Sequence, residues 1–110
     1  MTDIEKYYDI CDAILACFDT VKHGKYVLTH GGCFWFANKI HEHIPSSYIV
    51  LNRGMQHCAV MIDNSVYDAT GSICKQNFVL ASAKDIEYMQ KNFKPNIDLD
   101  IFISERGCVL

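Results

Sequence analysis

Apolar and aromatic residues recur at steps of three and four from Ile4 through Tyr7, Tyr8, Cys11, Ile14, Leu15 and Phe18 to Val21, the period of an amphipathic helix. The pattern predicts one helix over residues 3–22, capped by Thr2 or Asp3 and ended by Gly24 in the left-handed conformation that glycine tolerates. The piece "KYVLT" (25–29) then reads as extended. Cys33, Ala37, Ile40, His41 and Ile44 share a helical face, so residues 33–43 read as a second helix, which Pro45 cannot continue. Its block Phe34, Trp35, Phe36 points in nearly every direction, which predicts deep burial.

After Pro45 the period becomes that of strands. "SYIVL" (47–51), "HCAVMI" (57–62) and "SVYDA" (65–69) are strand-like, with a hairpin turn at Asp63 and Asn64 between the last two. An irregular stretch follows. Ser82 and Asp85 make a capping box for a helix running to about Asn92, and "LDIFIS" (99–104) reads as a last strand. Helices packed on a small antiparallel sheet, an α+β fold, are the expectation.

Half of the 110 residues are apolar, which suits one hydrophobic core and a single domain over residues 1–110. The net charge is −3, and the ten Lys and Arg residues are scattered, which argues against a nucleic-acid surface. No apolar run approaches the roughly 20 residues of a membrane span. The start "MTDIEKYYD" is acidic where a signal peptide is basic, and the tail "GCVL" is one place short of a prenylation box, so a cytoplasmic protein without a membrane or lipid anchor is expected. In that compartment the six cysteines read as mostly buried free thiols; three disulfides in a secreted scaffold are the rival reading. Cys11 and Cys17 look structural, and Cys74 and Cys108 lie in less regular segments. His41 and His43 point to nearly opposite sides of their helix, so no metal site is expected, and without a glycine-rich phosphate loop no cofactor is expected.

Three residues carry chemistry. Cys33 follows Gly31 and Gly32 at a helix start, where unpaired N–H groups and the helix dipole favour a thiolate. The glycines would let backbone approach a substrate closely. His57 opens a strand whose other residues are apolar, and Asp68 closes the next. With a two-residue turn, Ile62 pairs with Ser65, Ala59 faces Asp68 and His57 faces Thr70, so His57 and Asp68 become diagonal neighbours on one face. Such positions lie roughly 7–8 Å apart, a gap that imidazole and carboxylate can close. Nucleophile, base and orienter for acyl transfer are the roles these three suit. The Cys33 N–H is one oxyanion donor; Gly32, His30 and Gln56 are further candidates for oxyanion or substrate binding.

Gly31, Cys33, Phe36-Ala37, Ile44-Pro45, "SSYIVLN", "HCAVMI" and "VYDATG" together resemble the transglutaminase-like core of the papain-like cysteine enzymes, over residues 31–71. The resemblance implies a Cys33-His57-Asp68 triad in the family's order. The interval from His57 to Asp68 is eleven residues, on the short side for that family, and residues 1–32 hold no Gln or Asn to match its upstream oxyanion donor. The expected function is a cysteine-dependent protease, deamidase or transglutaminase-like acyltransferase acting on a protein or peptide substrate. The alternative is a non-catalytic binding module or inhibitor of a target protein, phage or mobile-element encoded, that keeps the fold.

Overall fold

Thr2 starts the first helix, as its residue type suggests: its hydroxyl accepts the Glu5 N–H while the Glu5 carboxylate accepts the Thr2 N–H. The computed structural model describes residues 1–108 and 110. Its helices are α1 (Asp3–Leu15), α2 (Val21–Thr29), α3 (Cys33–His43), α4 (Ala83–Asn92) and α5 (Leu99–Glu105), and its strands are β1 (Tyr48–Asn52), β2 (His57–Ile62), β3 (Ser65–Asp68), β4 (Gly71–Ile73) and β5 (Val79–Leu80). The strands form one antiparallel sheet in the order β4-β3-β2-β1-β5. Among the described residues no helix is long and apolar enough to cross a membrane.

The predicted single helix over 3–22 is two helices. α1 stops at Leu15, Cys17 and Phe18 continue as tight turns onto Ile14 and Leu15, and Thr20 caps α2 by accepting the His23 N–H. The break lets Phe18 fold inward to 7% exposure. Gly24 therefore lies inside α2 rather than ending α1. A Cβ there would sit 2.9 Å from both Leu15 Cδ2 and Phe18 Cδ2, so the glycine allows the helices to cross closely, at a helix-propensity cost of about 1 kcal/mol. "KYVLT", expected to be extended, is the second half of α2, with Leu28 fully buried.

The last expected strand is also a helix. Asp98 caps α5 by accepting the Ile101 N–H, and Leu99 and Ile103, four apart, are the pair that becomes buried. The stretch expected to be irregular supplies the two short edge strands, β4 beside β3 and β5 beside β1.

α3 packs on β2 and β1, with α1 and α2 alongside. Ile49, Leu51, Cys58, Val60, Ile62 and Tyr67 face these helices and share one core with Tyr7, Phe36 and Ile40. Alternate residues Val50, Ala59 and Val66 form a smaller cluster on the other face, under Met61, Ile73 and Phe78. Burial of this core, at about 1.5–3 kcal/mol for each fully buried Leu, Ile, Val, Phe or Met, supplies the driving force against chain entropy.

Both glycines before α3 have packing duties. Gly31 has φ 101°, and a Cβ on it would meet the Lys94 carbonyl oxygen at 3.2 Å, where the α4–α5 link passes. A Cβ on Gly32 would lie 2.8 Å from the Val27 carbonyl oxygen. Gly32→Ala should therefore destabilise the protein by about 1–3 kcal/mol, read as a lower urea midpoint, because the two nearest atoms, the Val27 carbonyl oxygen and the Leu28 Cα, are backbone and cannot swing aside.

Candidate active site

α3 begins at Cys33, whose residue is 4% exposed. As the first residue of the helix it has an N–H with no intrahelical acceptor. The β2–β3 hairpin has the two-residue turn expected: Ile62 pairs with Ser65, Met61 with Val66 and Val60 with Tyr67, while Asp63 takes φ 57°. Strand alternation then puts His57 and Asp68 on one face, and His57 Nε2 lies 2.9 Å from Asp68 Oδ2. Both side chains are largely shielded, at 13% and 8% exposure.

Asp68 is held on all sides. Its Oδ1 accepts both the backbone N–H and the hydroxyl of Thr70, and its backbone carbonyl accepts the hydroxyl of Tyr7, a fully buried residue of α1. Cys11, one turn further along α1, donates its thiol to the Ala69 carbonyl. α1 thus grips the end of β3 where the carboxylate sits.

Burial alone would raise the Asp68 pKa, but hydrogen bonds from His57 and Thr70 outweigh it and hold the carboxyl below its ordinary value. The His57 pKa is pushed up to about 9, first by the hydrogen bond to Asp68 and next by hydrogen bonding with the Cys33 side chain, against the opposing effect of burial. With Nε2 turned to Asp68, Nδ1 is the ring nitrogen left for the thiol. The imidazole therefore stands between a carboxylate and a thiol, the order that general acid–base work at sulfur requires. Cys58, next in sequence, faces the core, where burial above all pushes its thiol well up.

A cavity of about 240 Å³ opens at Cys33, walled by Thr29, Gly31, Gln56, Tyr88, Asn92 and Phe93. A second, of about 710 Å³, has His57, Asp68, Thr70 and Phe78 in its wall. Thr29 and Gln56 line both. Gln56 has φ 50°, a left-handed conformation that costs a non-glycine residue about 1 kcal/mol or more. α4 covers the Cys33 side and is braced by the Arg53–Asp85 ion pair at 2.8 Å, which ties its first turn to the β1–β2 connection.

Among the other candidates, the Gly32 N–H donates to the Val27 carbonyl at 3.1 Å, so it is committed within the fold and is not free for an oxyanion. The glycine pair serves the close approach of the start of α3 to the α4–α5 link and to Val27, and Gly31 also lines the Cys33 cavity. His30 stacks on Tyr26 at 4.0 Å and engages the Tyr26 carbonyl through Nδ1; it lines the His57 cavity but not that of Cys33. Gln56 does reach the Cys33 cavity. Sequence reasoning missed Thr70, Tyr7 and the α4 wall. Thr70 had a local signal, a hydroxyl two residues after an aspartate, whereas Tyr7 and Tyr88 come from distant elements and had none.

Residues 10–105 match the family described as phage YunG-like protein. No curated protein and no solved structure matches.

Proposed function

Because the chain belongs to the phage YunG-like family, whose description carries no activity, we propose a function from the site itself: cysteine-dependent acyl transfer at an amide bond, through Cys33, His57 and Asp68 on a transglutaminase-like, papain-like core. The observation that carries this reading is the imidazole held at 2.9 Å by a buried carboxylate, with the Cys33 side chain at a helix start close enough to help raise the His57 pKa.

In this reading the Cys33 sulfur attacks the amide carbonyl after His57 Nδ1 takes its proton. In the same reading the tetrahedral oxyanion rests on the Cys33 N–H and on the side-chain amide of Gln56, a residue in the wall of the Cys33 cavity. His57 gives its proton to the leaving nitrogen, the C–N bond breaks, and a thioester remains on Cys33. Water or an amine, deprotonated by His57, then attacks the thioester and expels the thiolate. Asp68 stays ionised throughout and holds the imidazolium in place. Protease, deamidase and transglutaminase-like outcomes differ only in the amide taken and in the group that resolves the thioester.

One observation favours the rival reading, a phage-encoded binding module or inhibitor on the same fold. Cys33 is nearly buried under α4, although Trp35, which could have plugged the site, instead donates its indole N–H to Asp100.

The pH profile of iodoacetamide labelling, resolved by peptide mapping, tests the proposal. Near pH 6 Cys33 should label about tenfold faster than the exposed Cys74, and His57→Ala should remove that advantage. Labelling of Cys33 no faster than Cys74, or only on unfolding, would make it a core thiol and favour the binder.

A further inference from the structure

Cys17, in the turn between α1 and α2, and Cys108, just beyond α5, are far apart in sequence yet converge on one atom. The Cys17 thiol donates to the Ala13 carbonyl oxygen at 3.5 Å, and the Cys108 thiol donates to the same oxygen at 3.6 Å. Two sulfurs sharing one acceptor at these distances are at most about 7 Å apart. Burial, and after it the neighbouring Cys17 thiol, push the Cys108 thiol up to about 11. Both residues are partly exposed, so a small reagent can reach them, whereas Cys11 and Cys58 are buried.

The backbone around the pair is defined on both sides. The Cys17 N–H donates to Ile14, and the Cys108 N–H donates to Ile103 after Gly107 turns the chain with φ 73°. Between the two elements, Phe18 packs on Phe102 with ring centres 4.8 Å apart.

We propose that Cys17 and Cys108 are a reversible disulfide site, oxidised by a low-molecular-weight disulfide of the glutathione type. One thiol loses its proton and attacks a sulfur of the small disulfide, releasing one small thiolate and leaving a mixed disulfide on the protein. The second cysteine, deprotonated in turn, attacks the protein sulfur of that mixed disulfide and releases the other small thiolate. The protein thereby loses two electrons and two protons, and one small disulfide becomes two small thiols. The bond forms when both thiols turn from the Ala13 carbonyl toward each other, with the backbone setting the roughly 3.5–4.5 Å Cβ separation that a disulfide requires.

The bond would fasten the end of α5 to the α1–α2 corner, beside a groove of about 730 Å³ walled by Phe18, His23, Tyr26, Ile101, Phe102 and Arg106. It closes a loop of about 90 residues, long enough for a large restriction of the unfolded chain. None of this depends on the reading of Cys33.

The full chain carrying Cys33→Ala, which keeps that thiol out of the chemistry, is incubated with oxidised glutathione at mildly alkaline pH, alkylated and mapped without reduction. The expected result is a Cys17–Cys108 linked peptide, with the exposed Cys74 carrying glutathione. The thermal midpoint should rise by about 10 °C, reversed by dithiothreitol and absent in Cys108→Ser. Recovery of Cys17 and Cys108 as separate adducts or free thiols while Cys74 is modified would overturn the proposal. So would a link that forms only in urea, a comparison that holds even if Cys108→Ser folds poorly.

Discussion

Cys33→Ala is expected to abolish acyl-enzyme formation from p-nitrophenyl acetate, and His57→Ala to slow it by about 10³-fold or more. The activated ester needs no leaving-group protonation and no extended binding site, so it reports the nucleophile and its base without knowledge of the natural substrate. Intact mass and peptide mapping locate the acetyl group, and the buried Cys11 and Cys58 serve as internal references. Cys33→Ala removes one sulfur from a core position, so its fold should survive at a cost of about 1–2 kcal/mol. A His57→Ala protein that acylates at the unmodified rate would show that the imidazole is not the base.

Asp68→Asn has the second large effect, because it keeps the shape and removes the charge. The His57 pKa should fall from about 9 toward the ordinary 6.5, read from the ring protons by NMR titration. Acylation at neutral pH should drop by about 10²–10⁴-fold as the imidazole loses both its tautomer and the stabilisation of its cation.

Stability follows the same groups. A raised folded pKa means that the His57 contribution is fully present below about 6.5 and is lost as pH rises through about 9. The Asp68 pKa is lowered, so its contribution is present above 3.8 and lost as pH falls through the lower folded value. Urea midpoints should therefore show the unmodified protein losing on the order of 2 kcal/mol between about pH 6 and pH 10, with Asp68→Asn nearly flat over that window. A variant with the same slope as the parent would assign the pH dependence to other groups.

Much of the candidate site is local in origin, which is why it was legible. The Asp63–Asn64 turn sets the register of β2 on β3, and a period of two then puts His57 and Asp68 on one face at hydrogen-bonding distance. Pro45 and the glycine pair bound α3, and Ser82 with Asp85 opens α4 by mutual capping. Each of these features is decided within about four residues by dihedral limits or by one side-chain hydrogen bond.

The misread segments were those in which two local patterns fit equally well. "LDIFIS" alternates like a strand and also places Leu99 and Ile103 one helical turn apart; the Asp98 cap and the packing of Phe102 on Phe18 favour the helix, leaving Ile101 at 55% exposure. In residues 3–22 the helical period runs unbroken past Leu15, yet burying Phe18 and crossing α2 closely over α1 at Gly24 requires a corner.

What the sequence by itself determined was the caps that open α1 and α4, the hairpin register, the α+β character, and the placement of a cysteine at a helix start with a histidine and an aspartate on adjoining strands. Only the tertiary structure decided that the Cys33 side chain lies near enough to His57 to shift its pKa, that Tyr7 holds the far side of Asp68, that α4 roofs Cys33, and that the Cys17 and Cys108 thiols converge on the Ala13 carbonyl. The division has a physical cause. Turns and caps are settled by interactions between near neighbours in the chain, whereas contacts between distant elements depend on how whole faces bury their apolar area together, which spacing along one chain does not encode.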